Sequence, residues 1–367
     1  MKQTLRVLIA GGGTGGHVIP AISIARELTA HYNADVRFLG TARGLETRLV
    51  PQAGYPLELI HVGQLKNVSL LTRARTLLDL PLGIWRCRQL LQNFRPHVVV
   101  GVGGYASGPA MAAALLARLP TLAFEPNVYP GLANRLIGKR VSAAAVNFPP
   151  AVKFFHNAEV TGIPVRPEFF ALPPRPRPAP PHLLVFGGSQ GARALNVIMP
   201  KIASQLLGSV AGLTILHQSG PRQLEATQAA YLAGRAPGER YRVSAFLDDM
   251  PQCFAAADVV LARSGASTVA ELAAAGKPAV LVPFPLAADD HQRQNADVMV
   301  DAGAAALLLE ADLTEEKLLS TLTSLFADPE RLAAMSKMAR AQAHPDAARR
   351  IAAMISELAI QKMQFAG

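Results

Sequence analysis

Short apolar runs, each about one strand long and each followed by a helix-length segment, recur down this chain, and that alternation narrows the fold more than any other feature. The first half carries "LRVLIA", "DVRFLG", "HVVVGVG" and "TLAFE"; the second carries "HLLVFG", "LTILHQ", "YRVSAF", "DVVLAR" and "PAVLVPF". Strands covered on both faces read as continuous apolar runs rather than alternating ones. Their alternation with helices implies α/β architecture with doubly wound parallel sheets. Between the two series lies "IPVRPEFFALPPRPRPAPP", with eight prolines from Pro164 to Pro181, a density that excludes helix and favours a stiff, extended connector. The 367 residues exceed the roughly 100–200 of one domain, so two cores are expected. The division is a first Rossmann-like domain over 1–162, a linker over 163–181, a second such domain over 182–345, and a helix over 346–367 that packs back on the first domain.

Glycine loops follow the first strand of each half: "GGGTGGH" after "LRVLIA" and "GGSQGA" after "HLLVFG". In open α/β sheets ligands sit outside the carboxyl ends of the strands, so both loops are expected to face a cleft between the domains. In the first half the helix is expected to begin near Pro20. Gly11, Gly13 and Gly16 satisfy the dinucleotide fingerprint, but the acid that should follow about 20 residues later, at the end of the second strand, is missing. That strand ends "RFLGT", and its one acid, Asp35, lies at the wrong end. A P-loop also fails, because no Lys-Ser or Lys-Thr follows the glycines.

A second anion site is outlined by "ADVVLARSGASTVAELAAAGKPAVLVPF". A strand and a tight Ser-Gly turn lead to a helix opening near Ala266, whose free N–H groups and positive dipole end suit a pyrophosphate. Glu271, three residues after Thr268 on the same face, could take two vicinal ribose hydroxyls. The competing reading makes Ser264 or Ser267 a helix cap and Glu271 a capping-box acid. At this point both stay open.

Charge and cysteine usage set the surroundings. Lys plus Arg total 36 against 26 Asp plus Glu, a formal +10 that favours nucleotides, nucleic acid or an anionic membrane as partners. Aromatics make up only 6% and do not interleave with the basic residues, which disfavours nucleic acid. The two cysteines, Cys87 and Cys253, form no CxxC pair and fit a reducing compartment. No targeting segment is expected, since the first apolar run is a strand long and breaks at Gly11. Val98 to Ala117 is uncharged and long enough for a membrane span, yet the glycines and Pro109 inside it read as strand, loop and helix.

"GGGTGGHVIPA", "GVGGYASGP", "EPNVYPGLAN", "GIPVR", "GGSQGARALN", "FLDDM", "ARSGASTVAELAAAGKPAVLVP" and "DDHQRQNA" occur together, in order and over most of the chain. This set resembles glycosyltransferase family 28, bacterial enzymes that add GlcNAc from UDP-GlcNAc to lipid I. The resemblance implies a GT-B fold of two Rossmann-like doubly wound parallel-sheet domains facing a cleft. It also implies inverting transfer to the C4 hydroxyl of MurNAc in lipid I, forming lipid II for peptidoglycan. The donor is expected mainly on the second domain and the acceptor on the first.

By motif, Thr14, Gly15, Gly16 and Asn127 should reach the donor from the first domain. Arg166 and Ser189 should contact the nucleotide, Leu247 should lie against the uracil, and Ala266, Ser267, Thr268, Val269, Ala270 and Glu271 should hold phosphates and ribose. Gln292 should read sugar hydroxyls with Asn295 nearby. Some relatives carry paired glutamines where this chain has His291 and Gln292, which leaves the role of His291 open. The resemblance places the enzyme on the cytoplasmic face of the bacterial inner membrane as a peripheral protein, with cell-wall synthesis and division proteins as associates.

One in-line displacement converts an α-linked sugar nucleotide into a β-glycoside, and it needs a base for the acceptor hydroxyl and stabilisation for the departing diphosphate. The chain has no Asp-x-Asp motif, so no dedicated metal and no cofactor are expected. Helix N-termini with Ser189 and Arg166 are expected to meet the diphosphate charge. His17 is the candidate base, because a helix N-terminus disfavours the imidazolium and keeps the ring able to accept a proton. The alternatives are a His17 that only orients the loop, or Glu125 as the base. Tyr105 and Ser107 are assigned to a third glycine loop facing the lipid-linked diphosphate.

"LKNVSLLTRARTLLDLPLGIWRCRQLLQNFR" carries six basic residues against one acid, beside Leu78 and the only tryptophan, Trp85. With Arg86 and Arg88 it is assigned as an interfacial membrane patch. A solvated face on a core-packed helix is its alternative. A sugar-nucleotide 2-epimerase, sharing a GT-B-like scaffold, remains the functional competitor; it would need catalytic acids but no lipid patch.

Overall fold

The computed structural model describes residues 4–60, 70–173 and 179–365. It forms two compact units, one of Met1–Val165 with His344–Gly367 and one of Arg166–Ala343. The first holds strands β1 (Arg6–Ala10), β2 (Asp35–Gly40), β3 (Leu57–Leu59), β4 (Val98–Gly101), β5 (Thr121–Glu125), β6 (Ala143–Val146) and β7 (Ala158–Val160). The second holds β8 (His182–Phe186), β9 (Thr214–Gln218), β10 (Tyr241–Ser244), β11 (Val259–Ala262), β12 (Ala279–Leu281) and β13 (Ala305–Leu307). Sheet orders are β3-β2-β1-β4-β5-β6-β7 and β10-β9-β8-β11-β12-β13. Every pairing is parallel, as in Val7↔Val98 and Leu183↔Val259.

The apolar runs are strands because both faces are covered. Every residue of β4, β5, β6 and β11 is buried. In the first unit Leu8, Leu39 and Val99 pack with Ala110, Met111 and Ala114. In the second, Leu183, Val185 and Leu261 pack with Ile198, Ile202 and Leu206. Each such large side chain withdrawn from water contributes about 1.5–3 kcal/mol. Four strands carry too little apolar signal to be read from sequence: β3, β7 and β13 are three residues each, and β6 is "AAAV".

Four helices of the first unit bear on function: α1 (Gly15–Tyr32), α2 (Glu46–Gln52), α3 (Leu70–Phe94) and α4 (Ser107–Leu116). The terminal helix Ala347–Phe365 packs on α1, burying Ile351, Ala352, Ile355 and Ala359. Arg350 ties it down with a fork to Glu159, Nε to Oε1 at 2.6 Å and Nη2 to Oε2 at 2.7 Å. Both partners are about 40% exposed, so the pair contributes little beyond fixing register.

The proline-rich segment corrects one expectation. Pro167–Phe170 forms a single helical turn, because a proline at the first helical position presets φ and needs no N–H. Val98 to Ala117 is β4, a loop and α4, and among the described residues no helix is long and apolar enough to cross a membrane.

Candidate active site

Each sheet reverses its strand order at one point, between β1 and β4 in the first unit and between β8 and β11 in the second. Adjacent strands there send their connections to opposite faces, opening a crevice at the carboxyl ends. All four strands bordering these crevices end in the glycine or serine loops singled out above. The helices after them, α1, α4, Arg193–Ser209 and Ala266–Ala275, begin without a side-chain cap. Their first N–H groups therefore remain available to an anion.

In the first unit the two loops interlock, with Gly12 N–H donating to Gly103 O at 3.2 Å. Gly104 sits at φ +80°, where a Cβ would lie 2.4 Å from Gly12 O, so only glycine fits. Helix α1 starts at Gly15, not near Pro20: Thr14 is its N-cap, and Gly15 and Gly16 make the first turn with His17. Pro20 lies inside the helix, removing one hydrogen bond to the Gly16 carbonyl without ending it.

His17 Nδ1 lies 3.2 Å from Gly12 O and 3.5 Å from Thr14 Oγ1. A carbonyl only accepts, so a neutral ring holds its proton on Nδ1 and its lone pair on Nε2. Nε2 packs over Gly103, where a Cβ would approach it to 2.9 Å.

Glu46, at the start of α2, was not legible in sequence. It is 1% exposed, and its carboxylate accepts from Gly13 N–H at 2.7 Å and from Thr41 N–H and Oγ1, both at 3.0 Å. A Cβ on Gly12, Gly40 or Gly44 would collide with that carboxylate. Burial pushes its pKa up, but the hydrogen bonds from Gly13 and Thr41 outweigh this and hold it below 4.5. Its trace in the sequence is three scattered glycines that make room for it.

Glu125 is 2% exposed and accepts four N–H bonds: two from Asn127, at 3.0 and 3.1 Å, one from Gly131 at 3.1 Å and one from Asn134 at 2.9 Å. Burial raises its pKa against those bonds. It shapes the "EPN" loop and holds Asn127, and with both oxygens engaged it is not poised as a base. Ser107 requires correction: it is fully buried against Gly101, its hydroxyl has no partner among the described residues, and it is closed off from the open face of the loop. Tyr105 is 42% exposed.

In the second unit the "GGSQGA" loop turns on Gly191 (φ +75°), where a Cβ would stand 1.8 Å from Ser219 O. Ser189 is exposed on this loop. The helix Ala266–Ala275 is N-capped by Gly265 with no side-chain bond, which removes the capping reading. Ser264 Oγ donates instead to Gln292 O at 2.7 Å, and Ser267 Oγ is buried without a partner. Glu271 lies in the second turn, beyond capping-box position, and makes no hydrogen bond or ion pair among the described residues. Burial pushes its carboxyl up to about 7, opposed by the Arg166 charge. Arg166 N-caps the turn Pro167–Phe170, its guanidinium 5.1 Å from the Phe169 ring.

A cavity of about 1070 Å³ in this unit is lined by Gly187, Gly191, Arg263, Phe284, Gln292 and Glu310 among others. Gln292 accepts from Phe284 N–H at 3.0 Å. Arg263, passed over in the sequence, is 8% exposed, donates to Val282 O and Pro283 O at 3.0 Å and pairs with Glu310 at 2.5 Å. Asn295 is fully buried with its amide 3.4 Å from Ser264 O, so it braces the Ser-Gly turn rather than facing the cavity. His291 turns Nδ1 to Ala288 O at 2.6 Å. Leu247 is half-buried ahead of the helix Met250–Ala256, while Thr268 and Ala270 are half-buried and Ala266 and Val269 buried. Among the described residues no cluster of three His, Cys, Asp or Glu could hold a metal.

Of the membrane-patch residues, the Leu78 side chain lies outside the described residues. Leu82 and Trp85 on α3 are 47% and 54% exposed, and Arg86 and Arg88 are exposed beside them.

Residues 7–146 match the glycosyltransferase family 28 N-terminal domain and residues 182–351 the family 28 C-terminal domain. Similar relatives are named UDP-N-acetylglucosamine–N-acetylmuramyl-(pentapeptide) pyrophosphoryl-undecaprenol N-acetylglucosamine transferase. That of Solibacter usitatus is 44% identical over 96% of both chains. That of Anaeromyxobacter dehalogenans (strain 2CP-C) is 45% identical over 96% of this chain and 93% of its own. The crystal structure of Acinetobacter baumannii MurG superposes with a TM-score of 0.82 at 31% identity, over 96% of this chain and 99% of that one. With two uncapped switch-point crevices and a likeness that covers 96% of its length, the chain belongs to glycosyltransferase family 28.

Proposed function

We propose that this protein transfers GlcNAc from UDP-GlcNAc to the C4 hydroxyl of MurNAc in lipid I, with inversion, forming lipid II for peptidoglycan. The observation that carries the donor assignment is the helix Ala266–Ala275, with an N-terminus that no side chain caps and a Glu271 carboxylate that makes no hydrogen bond or ion pair among the described residues. A pyrophosphate takes such an N-terminus, and a carboxylate one turn on accepts from two ribose hydroxyls. Ser189, Ser267, Thr268 and Arg166 add donors and charge, Leu247 offers an apolar face to the base, and Gln292 reads sugar hydroxyls.

In the first unit, His17 removes the proton from the acceptor hydroxyl through Nε2, the nitrogen left basic by the Nδ1 contact to Gly12 O. Thr14, Gly15 and Gly16 present N–H groups of the α1 N-terminus to a diphosphate, and Asn127, held by Glu125, presents its amide. As the glycosidic bond breaks, negative charge gathers on the leaving diphosphate, where fixed N–H dipoles stabilise it without reorganising. Trp85 and Leu82, flanked by Arg86 and Arg88, anchor the enzyme peripherally to the cytoplasmic face of the inner membrane, where its acceptor is embedded. Association with cell-wall synthesis and division proteins belongs to the same proposal.

The test is transfer from labelled UDP-GlcNAc, with and without a lipid I analogue and with chelator throughout. β-linked transfer that survives the chelator supports the proposal. Epimerised or hydrolysed donor without transfer would leave the nucleotide-sugar site standing and overturn the acceptor assignment.

A further inference from the structure

At the amino-terminal edge of the first unit's sheet, the end of the strands away from the glycine loops, a cavity of about 480 Å³ is lined by Arg6, Arg88, Arg95, His97 and Lys362, with no acid in its wall. None of the four cations forms an ion pair among the described residues, although Asp35 stands opposite Arg6 in the β1–β2 register. The chain builds the cluster deliberately. Arg6 Nε donates to Arg95 O at 2.8 Å, and Arg95 holds a left-handed backbone (φ 51°) where glycine would be easier.

His97 makes the charge imbalance specific. The Arg6 backbone N–H donates to its Nδ1 at 3.0 Å, so a neutral ring must carry its proton on Nε2. Arg6 Nη2 lies 3.5 Å from that Nε2, and two donors therefore face each other on a residue only 7% exposed. Burial, then Arg6 and Lys362, push the His97 pKa down, so the ring does not escape by taking a second proton; burial and Arg6 likewise lower Lys362. An acceptor oxygen between the two donors resolves the conflict.

The geometry points to a second anion site here, one that takes a phosphate-type oxyanion, a phosphomonoester or diphosphate, presented either free or as a lipid headgroup. Three guanidiniums and an ammonium match a multiply charged group with several acceptor oxygens better than a single carboxylate, and the volume suits a diphosphate.

The experiment titrates pyrophosphate into the full chain held at saturating UDP, so that the nucleotide site is filled, and compares Arg95→Gly/Lys362→Ala. The glycine relaxes the left-handed backbone, so the variant should fold at least as well. Binding in the presence of UDP that weakens tenfold or more in the variant supports a free-anion site. A second arm measures sedimentation with phosphatidylglycerol vesicles against phosphatidylcholine. Loss of the phosphatidylglycerol preference in the variant, reversed in the parent by added pyrophosphate, supports the headgroup source. Pyrophosphate binding absent or unchanged, together with unchanged vesicle binding, overturns the site.

Discussion

Replacing Glu271 by Gln should stabilise the protein and cripple it at once. In the folded state burial raises the carboxyl from 4.5 to about 7. A raised acid holds its proton more tightly folded than unfolded, so its ionisation costs stability. The cost is near zero at pH 4, grows as pH rises through 4.5, and is complete above 7. A rise from 4.5 to about 7, at about 1.36 kcal/mol per tenfold change in proton affinity, gives an upper value of about 3 kcal/mol at pH 8. Gln cannot ionise, and Glu271 makes no hydrogen bond to lose among the described residues. The E271Q protein should therefore melt higher at pH 8, by up to roughly 6–12 °C for a unit of this size, with the difference vanishing toward pH 4. Donor affinity should move the opposite way. The carboxylate accepts from two hydroxyls where Gln offers one acceptor, so KM for UDP-GlcNAc should rise about 10–100-fold, and in the parent enzyme donor binding should weaken as pH falls below about 7. Paired melting curves at pH 4 and 8 and KM across pH 6–9 read both effects. An E271Q protein less stable than the parent at pH 8, or one with unchanged KM, would refute the assignment and return Glu271 to a structural role.

Glu46→Ala strands Gly13 N–H, Thr41 N–H and the Thr41 hydroxyl, and should cost about 2–5 kcal/mol in denaturant unfolding together with a fall in kcat. Because its folded pKa lies below 4.5, the Glu46 contribution is present above that value and is lost as pH falls through the depressed folded value; a parent–variant gap that does not narrow in acid would contradict this. His17→Ala should lower kcat by about 10²–10⁴-fold with UDP-GlcNAc binding retained; near-parental turnover would remove His17 as the base. Leu82→Gln with Trp85→Gln, both on exposed positions, should leave the melting temperature unchanged and reduce binding to anionic vesicles, and unchanged sedimentation would refute the patch.

The double α/β plan was written in the chain because strands buried on both faces must be continuously apolar, and "HVVVGVG" or "DVVLAR" admits no other placement. The glycine loops were equally legible, since a left-handed backbone or a close backbone approach, as at Gly104 and Gly191, excludes other residues. Local sequence also located the opening of the helix at Ala266, and it singled out His17 and Glu271 as candidates. It misplaced the start of α1, because Pro20 imitates a first-turn proline while Thr14 and the glycines set the actual end. It could not tell that Ser107 points into the core, since a hydroxyl's direction depends on which helix face the sheet covers. Strand order, and with it the coincidence of every loop with a switch point, was decided by tertiary pairing alone. So were Glu46 under the first loop, Arg263 in the cavity wall, and the meeting of Arg6 and His97 with Lys362 from the far end of the chain. Hydrogen bonds and charge act over a few ångströms of space, and the separation of residues along the chain carries no record of that distance.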